Sequence, residues 1–169
     1  MKALVVCKHP KESKEASACK IIQNKNIKTI YSWKNTLTKK DLKNIDLVIA
    51  IGGDGTVLSA SHYLKNKPLL AINSNPQISE GALTTLSINQ LGKKLNEIKR
   101  KHKTEKLERI QISINDRPLS LLALNEVFIA NEKAYLISKY KINFKNKEES
   151  QKSSGLIFST GTGSTAWFK

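Results

Sequence analysis

The stretch DLVIAIGGDGTVLSAS, residues 46 to 61, admits few folds. Leu47 to Ile51 form a continuous apolar run, as in a strand buried on both faces of a parallel sheet. Gly52, Gly53, Asp54, Gly55 and Thr56 then break the run, and Val57, Leu58, Ala60, Ser61 and Leu64 suit a helix. Three glycines in four positions let a ligand approach the main chain closely. Successive N–H groups in such a turn, at a helix N-terminus, attract anions such as phosphate. A carboxylate inside that cradle repels phosphate unless it accepts a proton from a hydroxyl nucleophile or holds a metal ion. The plainer alternative is that Asp54 caps the helix and the glycines only turn the chain.

The flanking sequence repeats the alternation. Ala3 to Cys7 reads as a strand and Glu12 to Gln23 as a helix with Ala16, Cys19 and Ile22 or their neighbours inside. Strands at Ile27 to Tyr31 and Leu69 to Ile72 follow, and βαβ units of this kind predict a parallel sheet with ligands at the carboxyl ends of its strands. Asn73 opens a polar loop, NSNPQISEG, at that same edge. Ser87 predicts an N-cap for an amphipathic helix carrying Ile88, Leu91, Leu95 and Ile98.

After Lys106 the period becomes two. Ile110 to Ile114, Leu121 to Leu124, Val127 to Ala130, Tyr135 to Phe144 and Leu156 to Ser159 read as strands of an antiparallel region. Asp116, Arg117 and Pro118 are expected to form a turn, and Lys145 to Ser154 a polar loop. The expected fold class is therefore a Rossmann-like parallel α/β domain over residues 1–84, a connecting amphipathic helix over 85–105, and a β-rich, sandwich-like domain over 106–169.

Twenty-nine Lys and Arg against 14 Asp and Glu leave a formal charge of +15, which favours anionic partners, although lysine abundance also has a compositional explanation. Eight Lys or Arg against three Glu between Lys93 and Arg109 fit a solvated helix face better than a nucleic-acid patch. Cys7 and Cys19 lack metal-site spacing and are expected to be reduced core thiols. His9, His62 and His102 show no ligand pattern. No apolar run is long enough for a signal peptide or membrane span, so a cytoplasmic protein without membrane partners is expected.

Two polar knots interrupt the β-rich region. Asn125 and Glu126 lie between LLAL and VFIA, where an amide and a carboxylate are costly unless they bind each other, the backbone or a ligand. At the end, Ser159 to Trp167 read STGTGSTAW, a glycine and hydroxyl loop suited to a purine or ribose, with Trp167 available to stack on a base. A solvated kink and an ordinary turn before a core tryptophan are the plainer readings.

GGDGT at Gly52 to Thr56, Asn73 opening the next loop, LNEV at Leu124 to Val127 and SGLIFSTGTGSTAW at Ser154 to Trp167 resemble, in order and spacing, the motifs of the NAD kinases. NPQISEG with GTGSTAW looks closer to the mitochondrial-type branch: Ser154, Gly161 and Trp167 stand where the common bacterial pattern has aspartate, proline and tyrosine. The resemblance implies transfer of the γ-phosphoryl of ATP, with Mg2+ or another divalent metal, to the 2′-hydroxyl of the adenosine ribose of NAD. Carried over, Asp54 is the catalytic carboxylate; Gly53, Gly55 and Thr56 cradle phosphate. Asn73, Ser154 and Trp167 belong to the binding site, Asn125 and Glu126 hold NAD, and Ser164, Thr165 and Ala166 border its adenine. No metal ligated directly by the protein is expected. The resemblance also implies that family members continue beyond the last motif, so an incomplete β domain is expected to associate as a dimer or tetramer.

Three alternatives stay open on sequence alone. A lipid kinase of the diacylglycerol or sphingosine type shares GGDGT but usually follows it with a GTGND-like stretch, where this chain has NSNPQ. A non-catalytic NAD-binding or regulatory protein keeps the pocket without turnover. A nucleic-acid-binding module rests on charge alone, with no aromatic interleaving or recognition helix.

Overall fold

The computed structural model describes all residues except 9–12, 80, 101–102, 134 and 169. The described chain forms two compact units, Met1–Lys106 with Ile112–Leu122, and Leu107–Gln111 with Ala123–Lys169.

In the first unit, β1 (Lys2–Cys7), β2 (Lys28–Trp33), β3 (Leu47–Gly52), β4 (Leu69–Asn73) and β5 (Leu86–Ser87) form one sheet in the order β2-β1-β3-β4-β5. All of its pairings are parallel, as expected. Helices α1 (Ser13–Gln23), α2 (Asp54–Ser61) and α3 (Ile88–Arg100) cover it. Side chains alternate across a strand, and both faces of the sheet are dry. Val5, Ile49 and Ile72 pack with Ala18 and Ile22 of α1 and Leu91 and Leu95 of α3, whereas Leu4, Val6 and Val48 pack with Ala60 of α2 and with Leu42 and Leu64. Central β3 is buried at every position, while edge strand β2 exposes Tyr31 and Trp33. Asp46 ties the start of β1 to that of β3: its carboxylate accepts from the Lys2 N–H at 2.7 Å and its own N–H donates to the Lys2 carbonyl at 2.9 Å.

Local expectations needed correction. The expected helix start at Glu12 lies outside the described residues; the inward face of α1 carries Ala18 and Ile22 with Cys19 packed beside them, and it also buries Glu15, which the sequence did not suggest. Ser87 flanks α3 as expected, with its N–H donating to Gln90 Oε1 at 2.9 Å, but it also ends β5, a two-residue strand too short to show a period. Leu95 is fully buried on α3, so Leu95→Ala should destabilise the first unit by about 2–5 kcal/mol, measurable by urea unfolding.

Strands β6 (Ile110–Ile114) and β7 (Arg117–Ala123) pair as a hairpin. Its turn is Asn115–Asp116, at φ of 49° and 62°, the left-handed pair of a tight hairpin, so Arg117 and Pro118 are strand residues rather than turn residues. Within the first unit, the Leu122 N–H donates to the carbonyl of His62 at 3.3 Å.

In the second unit, β8 (Glu126–Ile129) pairs antiparallel with β11 (Leu156–Ser159), and β9 (Ser138–Phe144) with β10 (Lys147–Ser153). β9 begins at Ser138 rather than Tyr135, and Tyr135 to Ile137 are exposed. The expected polar loop at Lys145 to Ser154 is instead mostly β10. Lys145 and Asn146, at φ of 47° and 63°, make the tight turn, and Lys141 meets Glu148 across the strands at 2.8 Å. A hairpin with few apolar residues on its second strand has no alternation of hydrophobicity to betray it. Among the described residues no helix is long and apolar enough to cross a membrane.

Candidate functional site

The residues expected to form the site are found in both units. In the first, the turn after β3 is held open by Gly52, at φ of +156°, where a Cβ would strike the Thr56 hydroxyl. Gly53 caps α2 and the Thr56 N–H closes the turn on the Gly53 carbonyl at 2.9 Å, so Asp54 is the first helical residue and not the cap. Its carboxylate reaches sideways instead: Oδ1 accepts from the Leu83 N–H and from the Thr84 hydroxyl, each at 3.0 Å. A Cβ on Gly55 would meet no atom within 4 Å, so the protein leaves the space beside that backbone free.

The loop that Asp54 holds is also folded around Asn73. Buried Asn73 accepts from the Asn75 N–H at 3.0 Å through Oδ1 and donates to the Ser79 carbonyl at 3.3 Å through Nδ2. Gly81, at φ of +72°, passes so close that a Cβ would lie 2.6 Å from Asn73 Nδ2. Asn73 therefore shapes the loop, and Thr84, 2% exposed, fixes the carboxylate. No motif points to Leu83 or Thr84, because only the closing of the loop onto Asp54 gives them a role. From α1, Lys14 Nζ donates to Asn75 Oδ1 at 3.1 Å and adds a cation to this loop.

In the second unit, Asn125 and Glu126 enter β8 opposite the end of β11, with Glu126 facing Ser159. Thr160 clamps the two segments. Its N–H donates to the Asn125 carbonyl at 2.9 Å, its hydroxyl donates to the Leu124 carbonyl at 2.6 Å, and the same hydroxyl accepts from the Gly163 N–H at 3.0 Å. The glycine and hydroxyl run around Thr160 stands out in the sequence, but the clamp itself does not. Asn125 Oδ1 and Glu126 Oε2 are buried and have no hydrogen-bond partner among the described residues. Orphaned buried polar atoms cost about 1–3 kcal/mol each, a cost that a ligand donor would offset.

The 3₁₀ turn Thr162–Thr165 carries Ser164 and Thr165 at the surface, with Ala166 half-buried beside them. Ser164 turns its hydroxyl inward, donating to the Gly161 carbonyl at 2.7 Å. Trp167 packs against Phe128, ring centroids 4.9 Å apart at 68°, and remains 61% exposed. Ser154 is not gathered with these residues. It precedes β11 whereas Thr160 follows it, so the strand's four residues, roughly 13 Å, separate them. A cavity of about 640 Å3 lies elsewhere in this unit, against Ile129, Tyr140, Ile142, Phe144 and Phe158. It includes none of the expected site residues.

Residues 4–103 match the ATP-NAD kinase N-terminal domain. An NAD kinase of Campylobacter lari is 31% identical over 153 residues, covering 87% of this chain and 54% of that protein. Human NAD kinase 2, mitochondrial, is 29% identical over 197 residues, covering 86% of this chain and 43% of that one. These nearly equal identities do not single out the mitochondrial-type branch. The chain spans about half the length of such relatives. The fold is that of an NAD kinase from Archaeoglobus fulgidus crystallised in complex with ATP: TM-score 0.80, 24% identity, 99% of this chain and 64% of that chain covered. With more than half of its residues matched by the family's N-terminal domain, the chain belongs to the NAD kinase family.

Proposed function

We propose that this chain acts as an NAD kinase, transferring the γ-phosphoryl group of ATP to the 2′-hydroxyl of the adenosine ribose of NAD. The observation that carries this reading is a carboxylate, Asp54, anchored through one oxygen by Leu83 and Thr84 inside a glycine turn that is otherwise built for phosphate. Asp54 takes the proton of the 2′-hydroxyl as that oxygen attacks the γ-phosphorus; the bond from phosphorus to the bridging oxygen breaks and ADP leaves. Gly53 and Gly55 present backbone N–H groups and the α2 N-terminus to phosphate, and Thr56, whose own N–H closes the turn on Gly53, completes the cradle. A divalent metal such as Mg2+, carried on the donor's phosphates, neutralises charge on the transferred group.

In the second unit, we assign the orphaned Asn125 and Glu126 atoms to NAD, with the 164–167 segment bordering its adenine. Residues 1–84 then serve phosphate and 106–169 serve NAD, with 85–105 between them. Phe128, Ile129, Phe144 and Phe158 of the second unit are each more than 40% exposed, and self-association through this apolar surface is part of the proposal. Sedimentation of a monomer alone would remove that part.

NADP formation by the purified chain with NAD and Mg-ATP tests the reading; inorganic polyphosphate as donor and NADH as acceptor define its scope. NAD bound without turnover across these donors would instead indicate a binding protein. Asn125→Ala removes one orphaned atom and should weaken NAD binding about tenfold, about 1.4 kcal/mol, without lowering the melting temperature of the ligand-free chain. Unchanged affinity by calorimetry would contradict the assignment of Asn125 to NAD.

A further inference from the structure

The loop after β4 is folded so that its far end reaches back to the start of α2. Buried Asn73 uses both polar atoms of its side chain on the loop itself, Oδ1 on the Asn75 N–H and Nδ2 on the Ser79 carbonyl. The chain then returns through Gly81 at φ of +72°, where a Cβ would lie 2.6 Å from Asn73 Nδ2 and 2.9 Å from the Thr84 carbonyl. Only glycine lets the return pass so close over Asn73. The Thr84 N–H closes the turn on the Gly81 carbonyl at 3.2 Å. That leaves the Leu83 N–H and the Thr84 hydroxyl pointing at one atom, and both donate to Asp54 Oδ1 at 3.0 Å. Thr84 is 2% exposed, whereas Asp54 is half-buried, and Asp54 Oδ2 has no hydrogen-bond partner among the described residues.

We propose that Thr84 is a positioning residue for phosphoryl transfer: its buried hydroxyl, with the Leu83 N–H, holds Oδ1 and so presents Oδ2 of Asp54 as the proton acceptor. This role rests on Asp54 being the base of the proposed NAD kinase reaction.

A free carboxylate has two equivalent oxygens and turns about two bonds, and few of its orientations aim a lone pair at a given hydroxyl. Two donors on one oxygen remove the equivalence and fix the plane of the group before substrate arrives. As the 2′-oxygen bonds to the γ-phosphorus and the bond from that phosphorus to ADP breaks, the hydroxyl proton passes to Oδ2, and Oδ1 keeps its two hydrogen bonds. Neutral donors orient the carboxylate while leaving it more basic than a cation in their place would. Thr84 stands 30 residues from Asp54 and acts only through it.

Thr84→Val keeps the shape of the side chain and removes the donor. In single-turnover measurements at saturating NAD and Mg-ATP it should slow NADP formation about tenfold, the effect of losing one of two hydrogen bonds to a charged group. KM for either substrate should stay within about twofold, because the hydroxyl is engaged by Asp54 and not by substrate. Thr84→Ser keeps the hydroxyl and should bring the rate back to within about threefold of the parent. In an Asp54→Asn chain, Thr84→Val should slow nothing further, since a residue acting through the base has nothing left to act on. If Thr84→Val also melts early, that double variant decides: damage to the fold slows Asp54→Asn further, whereas lost positioning does not. Parent-like turnover of Thr84→Val, a Thr84→Ser chain as slow as Thr84→Val, a raised KM in place of the rate loss, or additive losses in the double variant would each overturn the role of Thr84 and leave the kinase reading standing. A parent chain that makes no NADP removes the kinase reading, and the role of Thr84 falls with it.

Discussion

Asp54→Asn is expected to lower NADP formation by about 10²- to 10⁴-fold, the usual contribution of a positioned base, while NAD binding changes little. The reason lies in how Asp54 is held. Oδ1 is an acceptor to Leu83 and Thr84, and an asparagine oxygen accepts the same two hydrogen bonds. The loop from Asn73 to Thr84 therefore keeps its anchor, and the charge and the basicity of the second oxygen are what disappear. Asp54→Ala removes the anchor as well and should add a structural defect, since buried Thr84 is left without its acceptor. Rate measurements on both variants, with melting temperatures alongside, separate the two effects. If Asp54→Asn turns over as fast as the parent, Asp54 does not act as the base and its place in the turn is architectural.

Much of the glycine turn after β3 is legible in the amino-acid sequence, for a physical reason. β3 is buried on both faces, so its apolar run is continuous, and the turn after it must be glycine-rich because a Cβ at Gly52 collides with Thr56. Both constraints act over a few residues and leave a local signature. Constraints that act at a distance leave none. Thr84 matters because its loop closes onto a residue 30 positions away, and nothing around it in sequence says so. β10 reads as a loop because Lys147 to Ser153 lack apolar alternation; its pairing comes from the Lys145–Asn146 turn and cross-strand charge. Ser154 groups with the binding residues by motif, yet strand length places it at the opposite end of β11 from Thr160. Proximity in a motif is proximity in sequence, and an extended strand converts few residues into a large distance.

The glycines of the last motif give the sharpest structural contrast. Gly161 and Gly163 look equivalent in GTG, yet a Cβ on Gly161 would meet no atom within 4 Å, whereas one on Gly163 would run into the Asn125 carbonyl, 2.5 Å from its carbon and 2.7 Å from Ser159 Oγ. The obstacle is backbone, so no rotamer change relieves it, and the turn after β11 must lift from the Leu124–Asn125 segment. Lifting strains or breaks the three hydrogen bonds that Thr160 organises. Overpacking of about 1–3 kcal/mol, with about 1 kcal/mol for each bond lost, puts the expected cost of Gly163→Ala near 3 kcal/mol or above. Hydrogen exchange at β8 and β11 should accelerate, and NAD affinity should collapse because Asn125 and Glu126 ride on the displaced segment. Gly161→Ala should melt within a degree or two of the parent and keep NAD affinity. Equal behaviour of the two variants would mean that close packing of Gly163 against Asn125 does not hold this turn in place.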